Sequence, residues 1–204
     1  MKYLTLTKIT VTLVVCIFVA SDAQAQVRYR LPLSSLPSIS AWFDHNPYSG
    51  FKKYTCSTSG AYNGHEGTDF PTYSGRTIYS GAAGELYYRQ NGCADTPDGD
   101  CGGGFGNHVR IKHKDSKVSI YAHMKKGTPV FTQSVLCSAK IGGVGNSGDS
   151  KGEHLHFEIW SSTSGSTSVD PFAGSCSQTT NYWANINSSG MPTTACQPTI
   201  YPLP

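Results

Sequence analysis

Charge is scarce in this chain: Asp, Glu, Lys and Arg make up 14% of its 204 residues, against roughly a quarter in an ordinary globular domain. The formal net charge of +3 is too weak a balance to argue for nucleic acid as a partner. No Cys-x-x-Cys spacing occurs, which disfavours a structural zinc cluster. Convincing helical periodicity and internal repeats are also missing, so nothing points to a bundle or a solenoid. Beyond the N-terminal segment, no apolar run reaches the ~18 residues that cross a bilayer, and no transmembrane segment is expected in the mature chain.

Glycine (22) and tyrosine (12) are plentiful, and seven cysteines are present. Lys2 and Lys8 flank the start of the apolar run "ITVTLVVCIFVA", and Ala23 and Ala25 give the small-x-small pattern of a secretory cleavage site. Residues 1–25 therefore read as a cleaved signal peptide. A lipoprotein signal ending at Cys16 fits less well, because Val15 is bulky and the apolar run continues past the cysteine. Loss of the signal leaves 14 basic and 12 acidic residues, a net charge of +2, once Lys2, Lys8 and Asp22 are subtracted. Six cysteines remain: Cys56, Cys93, Cys101, Cys137, Cys176 and Cys196. An even count in an exported chain favours disulfides, formed in the periplasm or on secretion. Cys93 with Cys101 is the best local pair, and the spacing cannot choose among the other pairings.

Residues 26–50 read as an extended N-terminal arm punctuated by Pro and Ser. From about Phe51, strand signals follow one another: "RTIYSG", "GELYYRQ", "NHVRIKHK", "KVSIYAHM" and "GEHLHFEIW", each bounded by turn residues. The fold class is all-β, and "KDS" reads as a hairpin turn. The domain is expected over 51–172. The tail 173–204 carries Cys176 and Cys196 and is expected to be stapled by disulfides.

Alternation in "GEHLHFEIW" places His154, His156, Glu158 and Trp160 on one face and Leu155, Phe157 and Ile159 on the other, greasy one. Upstream, "NGHEGTDF" carries His65 and Asp69 four apart, on one face if the segment is extended. Gly64 and Gly67 let the backbone approach whatever those side chains hold. Imidazole and carboxylate are good zinc ligands, and a catalytic zinc keeps three protein ligands with one position open. His156 is the natural third ligand. Taken alone, His-x-x-x-Asp fits a hydrogen-bonded buried pair equally well. In "KVSIYAHM", Val118, Ile120 and Ala122 share one side and His123 the other.

The ordered set "GHEGTDF", "FGNHVRIKHKD", "SIYAHM", "IGGVGNSGDSKGEHLHFEIW" and "VDPF" resembles the lysostaphin-type (LytM-like) zinc endopeptidases that cut peptidoglycan, over roughly residues 51–172. The resemblance implies a small antiparallel β-sheet with a groove lined by histidines. It further implies one Zn²⁺ held by His65, Asp69 and His156, with His123 and His154 as the catalytic residues. Histidine titrates in the range that proton transfer needs, and the two share the roles of general base, general acid and oxyanion stabiliser. Peptidoglycan or its peptide fragments would be the substrate, and the chain a monomer.

Several polar residues read as structural: Glu66 as solvated, His113 as a hydrogen-bonded core histidine, His45 and His108 as carrying no motif. Glu158 is either an acceptor orienting a histidine or a solvated strand residue, and Tyr62 is a candidate for the groove wall. The Cys-bounded insert "NGCADTPDGDCGGG" departs from the family pattern and is placed to border the groove. Two rival functions fit the same residues. One is a non-catalytic LytM-like module that binds the wall or activates other hydrolases; the other is a secreted protease acting on Gly-rich proteins.

Overall fold

The computed structural model describes residues 25–165 and 167–197, so residues 1–24 of the expected signal lie outside it. Eight strands occur in the order β1 (Thr68–Pro71), β2 (Thr77–Tyr79), β3 (Gly84–Gln90), β4 (Asn107–Lys112), β5 (Val118–Met124), β6 (Ser134–Val135), β7 (Lys140–Gly143) and β8 (His154–Trp160). No helix occurs among the described residues. A six-stranded sheet runs β1-β8-β5-β4-β3-β6 with every neighbour antiparallel, and β2 pairs with β7. The all-β reading holds, and β3 coincides with the segment read from "GELYYRQ". "KDS" forms the expected hairpin, closed by hydrogen bonds from His113 N to the Lys117 carbonyl and from Ser116 N to the His113 carbonyl.

Leu155, Phe157 and Ile159 of β8 are fully buried on one face of the sheet with Val109, Ile111 and Tyr121. A sheet with an apolar face must be covered, and there are no helices to do it. The cover comes from β2 and β7, through Ile78 and Ile141, and from the chain ends. Tyr29, Leu31 and Leu33 of the arm are buried, as is Trp183 of the tail. Backbone hydrogen bonds tie Tyr29 to Tyr182 and Ala184, and Leu31 to Thr193. The arm thus contributes Tyr29, Leu31 and Leu33 to the core. Truncating a buried aromatic such as Tyr29 or Trp183 costs about 3–5 kcal/mol.

The cysteines pair as Cys56–Cys176, Cys93–Cys101 and Cys137–Cys196. Two of the pairs fasten the tail to the body of the domain, and the third closes the insert locally.

The register corrects one orientation. Ala122 pairs with His156 and Ile120 with Glu158, so Val118, Ile120 and Ala122 share the histidine face, where Phe105 and Trp160 cover them. Strict alternation would bury His123 with Tyr121 on the opposite side. Between the pairs Asn107↔Met124 and Val109↔Tyr121, β5 carries one residue more than β4. His123 sits in this bulge at φ +56°, and the bulge turns its ring onto the histidine face. Bulges re-aim side chains in this way beside functional sites.

Candidate metal centre

β1 and β8 are antiparallel neighbours with Asp69 directly opposite His156, so pairing alone sets a carboxylate beside an imidazole. His65 enters from the loop before β1. His65 Nε2 lies 3.1 Å from Asp69 Oδ1 and 3.2 Å from His156 Nδ1, and His156 Nδ1 lies 2.9 Å from Asp69 Oδ1. These three atoms form a nearly equilateral triangle. Ligand atoms at zinc's usual bond lengths of about 2.0–2.1 Å sit roughly 3.3 Å apart in a tetrahedron. The donor set and its spacing therefore fit one Zn²⁺, and His65 and His156 line a cavity.

The second nitrogen of each ligand histidine is engaged, which fixes the nitrogen left for a metal. His65 Nδ1 donates to the Trp42 carbonyl at 2.9 Å, and a carbonyl only accepts. His156 Nε2 donates to Glu158 Oε2 at 3.1 Å. Glu158 is buried and also accepts from Trp160 Nε1 and Ser168 Oγ. Of the two readings for Glu158, the orienting acceptor is the one realised. Burial disfavours the charged form of His156, but its hydrogen bonds to Asp69 and Glu158 outweigh that and raise its pKa to about 10. Asp69 is likewise opposed by burial yet held far below the carboxylate range by His156 and then His65. Without a metal the three residues form a charged hydrogen-bonded cluster, in which a cation would take the place of the His156 Nδ1 proton.

The arm supports this side of the centre. Asp69 N donates to the Ala41 carbonyl at 2.8 Å, and Ser40 N to the Asp69 carbonyl at 3.1 Å. The buried Asp44 carboxylate accepts backbone N–H groups from Asn46, Lys52 and Gly64, each within 2.9 Å, and Asp44 N donates to the His65 carbonyl at 2.7 Å. Residues 40–44 thus brace the backbones of both His65 and Asp69. The residues lining the cavity beside the ligands come from outside the arm. Gly67 has a steric role: a Cβ there would stand 2.5 Å from His156 Cε1.

His123, in the wall of a cavity beside the ligands, and His154 have ring centroids 4.6 Å apart. His123 Nδ1 donates to the Ser147 carbonyl at 2.8 Å, and His154 Nδ1 to the Gly152 carbonyl at 2.8 Å. Both rings therefore keep Nε2 unclaimed by the backbone, and that of His154 lies 3.7 Å from Asp69 Oδ2. Burial, then His156 and His154, lower the pKa of His123 to about 3, so it is a neutral imidazole at neutral pH. A non-glycine residue at positive φ costs on the order of 1–3 kcal/mol. Three hydrogen bonds hold His123 there: its N–H to Phe105, its carbonyl from Gly145, and its ring to Ser147.

The cavity holds about 170 Å³ and is lined by His65, His123, His156 and Glu158, by Tyr62 and Glu66, by Gly103 and Gly104 of the insert's end, and by Phe105 just after it. The insert does border the groove. Tyr62 is 60% exposed with its ring 4.8 Å from His65, and Glu66 is exposed as expected yet forms part of the wall. His113 is buried between the Ala83 carbonyl and Ser119 Oγ, a structural histidine. His108 hydrogen-bonds to Gly106 and Arg110, and His45 to Asp170. Asp44, Ser147 and the carbonyl of Trp42 carried no signal in the sequence. Backbone acceptors have no residue identity, and Asp44 stands twenty-one residues before the ligand it supports.

Residues 63–171 match peptidase family M23, and the chain belongs to that family. It is 42% identical over 55 residues to a protein of Buchnera aphidicola described as an uncharacterized metalloprotease, covering 27% of this chain and 15% of that one. It is 33% identical over 96 residues to the murein hydrolase activator NlpD of Escherichia coli, covering 47% of this chain and 23% of NlpD. Among solved structures, the catalytic domain of lysostaphin from Staphylococcus simulans aligns at a TM-score of 0.48 and 22% identity, over 66% of this chain and 89% of that domain. The chain spans less than a quarter of the length of either curated relative.

Proposed function

We propose that the chain is an exported, monomeric zinc endopeptidase that hydrolyses peptide bonds in peptidoglycan stems or cross-links. The observation carrying this reading is the triangle of His65 Nε2, Asp69 Oδ1 and His156 Nδ1, with two further imidazoles, His123 and His154, turned towards it. Membership of a peptidase family supports the reaction class. Relatives named as outer membrane lipoproteins and murein hydrolase activators support an envelope location and a wall substrate.

In this mechanism His65, Asp69 and His156 would hold the ion, and zinc, when bound, would supply Lewis-acid activation of water and of the scissile carbonyl. Glu158 and the Trp42 carbonyl fix the ligating nitrogens. The free Nε2 of a neutral histidine accepts the proton of the attacking water, and a histidine Nε2–H returns one to the leaving amine as the C–N bond breaks. The protonated ring also stabilises the tetrahedral oxyanion. His123 and His154 divide these tasks.

The decisive experiment is release of soluble fragments from labelled sacculi by the zinc-loaded protein, by chelated protein and by His156→Ala, with the fragments identified by mass spectrometry. Release that needs both zinc and His156 is expected. The second reading, an activator of other wall hydrolases, is favoured by the similarity to NlpD. It prevails where the His156→Ala protein retains its biological effect.

A further inference from the structure

Arg110 stands on the same sheet face as the metal ligands. The register aligns Tyr88 with Arg110, Arg110 with Ile120, and Ile120 with Glu158, so these four side chains form one row across the sheet. Strands lie about 4.8 Å apart, which puts the Arg110 position roughly 10 Å from that of Glu158, the partner of His156. Three rings surround the guanidinium, with its central carbon 4.4 Å from the Trp160 centroid, 4.9 Å from Tyr88 and 5.5 Å from Phe105.

What this arginine lacks is a carboxylate at ion-pair distance, Glu158 acting on it only from further along the row. Its Nε donates to the neutral His108 Nε2 at 3.1 Å. Among the described residues, Nη1 and Nη2 have no hydrogen-bond acceptor and no carboxylate lies within ion-pair distance. Glu158, in the same row, is already saturated by His156, Trp160 and Ser168. Packing on aromatic faces leaves the in-plane N–H groups of a guanidinium free and restricts its rotamers, so little order is lost when a planar anion binds. Phe105 belongs both to this collar and to the wall of the metal cavity, so the two sites adjoin.

We propose that Arg110 is a carboxylate subsite that engages a free carboxylate of the peptide substrate about three residues from the scissile bond, given that an extended chain advances about 3.3–3.6 Å per residue. This deepens the peptidoglycan reading and rests on it for the identity of the substrate, while the anion site itself does not depend on hydrolysis.

The test separates the two. Zinc-loaded protein is titrated with the stem peptide L-Ala-γ-D-Glu-meso-diaminopimelate and with its fully amidated counterpart. Binding is followed by isothermal titration calorimetry in every variant, with the Arg110 Nε–H followed by NMR in the unaltered protein, and hydrolysis of sacculi is measured separately. Charge-assisted bidentate pairing should make the free-acid peptide bind at least about tenfold more tightly than the amide. Arg110→Gln should bring the ratio close to one without changing affinity for the amide, and Arg110→Lys should leave it in between, because an ammonium keeps the charge but not the fork. Equal affinity for acid and amide in the unaltered protein, or an undiminished ratio in Arg110→Gln, overturns the subsite. Discrimination without any hydrolysis upholds the subsite and removes the endopeptidase reading. Hydrolysis by a protein that ignores amidation does the reverse.

Discussion

The two halves of the six-stranded sheet both bury histidines, and they use them in opposite ways. In the β4 half, His113 is paired with a carbonyl and a hydroxyl, and His108 with a carbonyl and a guanidinium. Burial first, and then in His108 the nearby Arg110, lowers both to a pKa of about 4. In the β1–β8 half, His156 is as deeply buried but meets Asp69 and Glu158, and its pKa is raised to about 10. Burial alone makes a neutral structural histidine. A carboxylate at each ring nitrogen makes a site that attracts a cation.

The sharpest way to break the contrast is steric. Gly67→Ala would drive a methyl group into the His156 ring, with the Phe157 carbonyl 2.9 Å away on another side, so His156 must leave its place. Zinc content after dialysis should fall to background while the β4 half stays folded. Stoichiometric zinc in this variant would mean that the triangle tolerates displacement.

Acid should then undo the β4 half. His113 has an ordinary unfolded pKa near 6.5 and a folded one of about 4. Between those values the unfolded chain binds a proton that the folded chain refuses. The contribution is complete above pH 6.5 and is lost as pH falls towards 4, by an amount on the order of 3 kcal/mol. His113→Gln should therefore flatten the dependence of unfolding free energy on pH in that window by close to one proton. An unchanged slope would show that His113 does not supply it. His156 has the opposite sign, since a raised pKa lends the metal-free chain stability at low pH that fades as pH climbs through about 10.

Within the cation-binding half the supports differ in origin. Glu158 lies two residues from the ligand it orients, inside the span matched to the family, whereas Asp44 belongs to the arm, outside it. Loss of an orienting partner usually costs 10–100-fold in metal affinity. Glu158→Gln and Asp44→Asn should both fall in that range by competition with a chromogenic chelator. An Asp44→Asn protein with undiminished affinity would demote the arm to a core filler.

The sequence made the apolar face of β8 legible because period-two alternation in "HLHFEIW" is a local property. His65, Asp69 and His156 stood out for a similar reason, as chemically distinctive residues between glycines. What was not legible depends on pairing across the chain. Alternation in "KVSIYAHM" put His123 on the side opposite Val118, Ile120 and Ala122, because it could not reveal the bulge that turns the ring onto their face. The Trp42 carbonyl and the free fork of Arg110 are visible only once distant segments are in register.

The smallest effect separates two catalytic candidates that otherwise look alike. His123 is held by the Ser147 carbonyl in a buried bulge, whereas His154 Nδ1 donates to the Gly152 carbonyl at 2.8 Å and has Ser150 Oγ at 3.3 Å as a second neighbour. Ser150 Oγ already makes its better bonds elsewhere, to Asn146 Oδ1 at 2.7 Å and the Gly152 carbonyl at 3.0 Å. Its contact with His154 therefore adds little, and removing it should cost no more than about 0.5 kcal/mol. Ser150→Ala should lower kcat on a stem-peptide substrate about twofold and leave KM and zinc affinity as they were. A tenfold loss of kcat would mean that the hydroxyl, rather than the Gly152 carbonyl, sets the His154 ring, and that the proton on Nδ1 is shared along a Ser150–His154 chain.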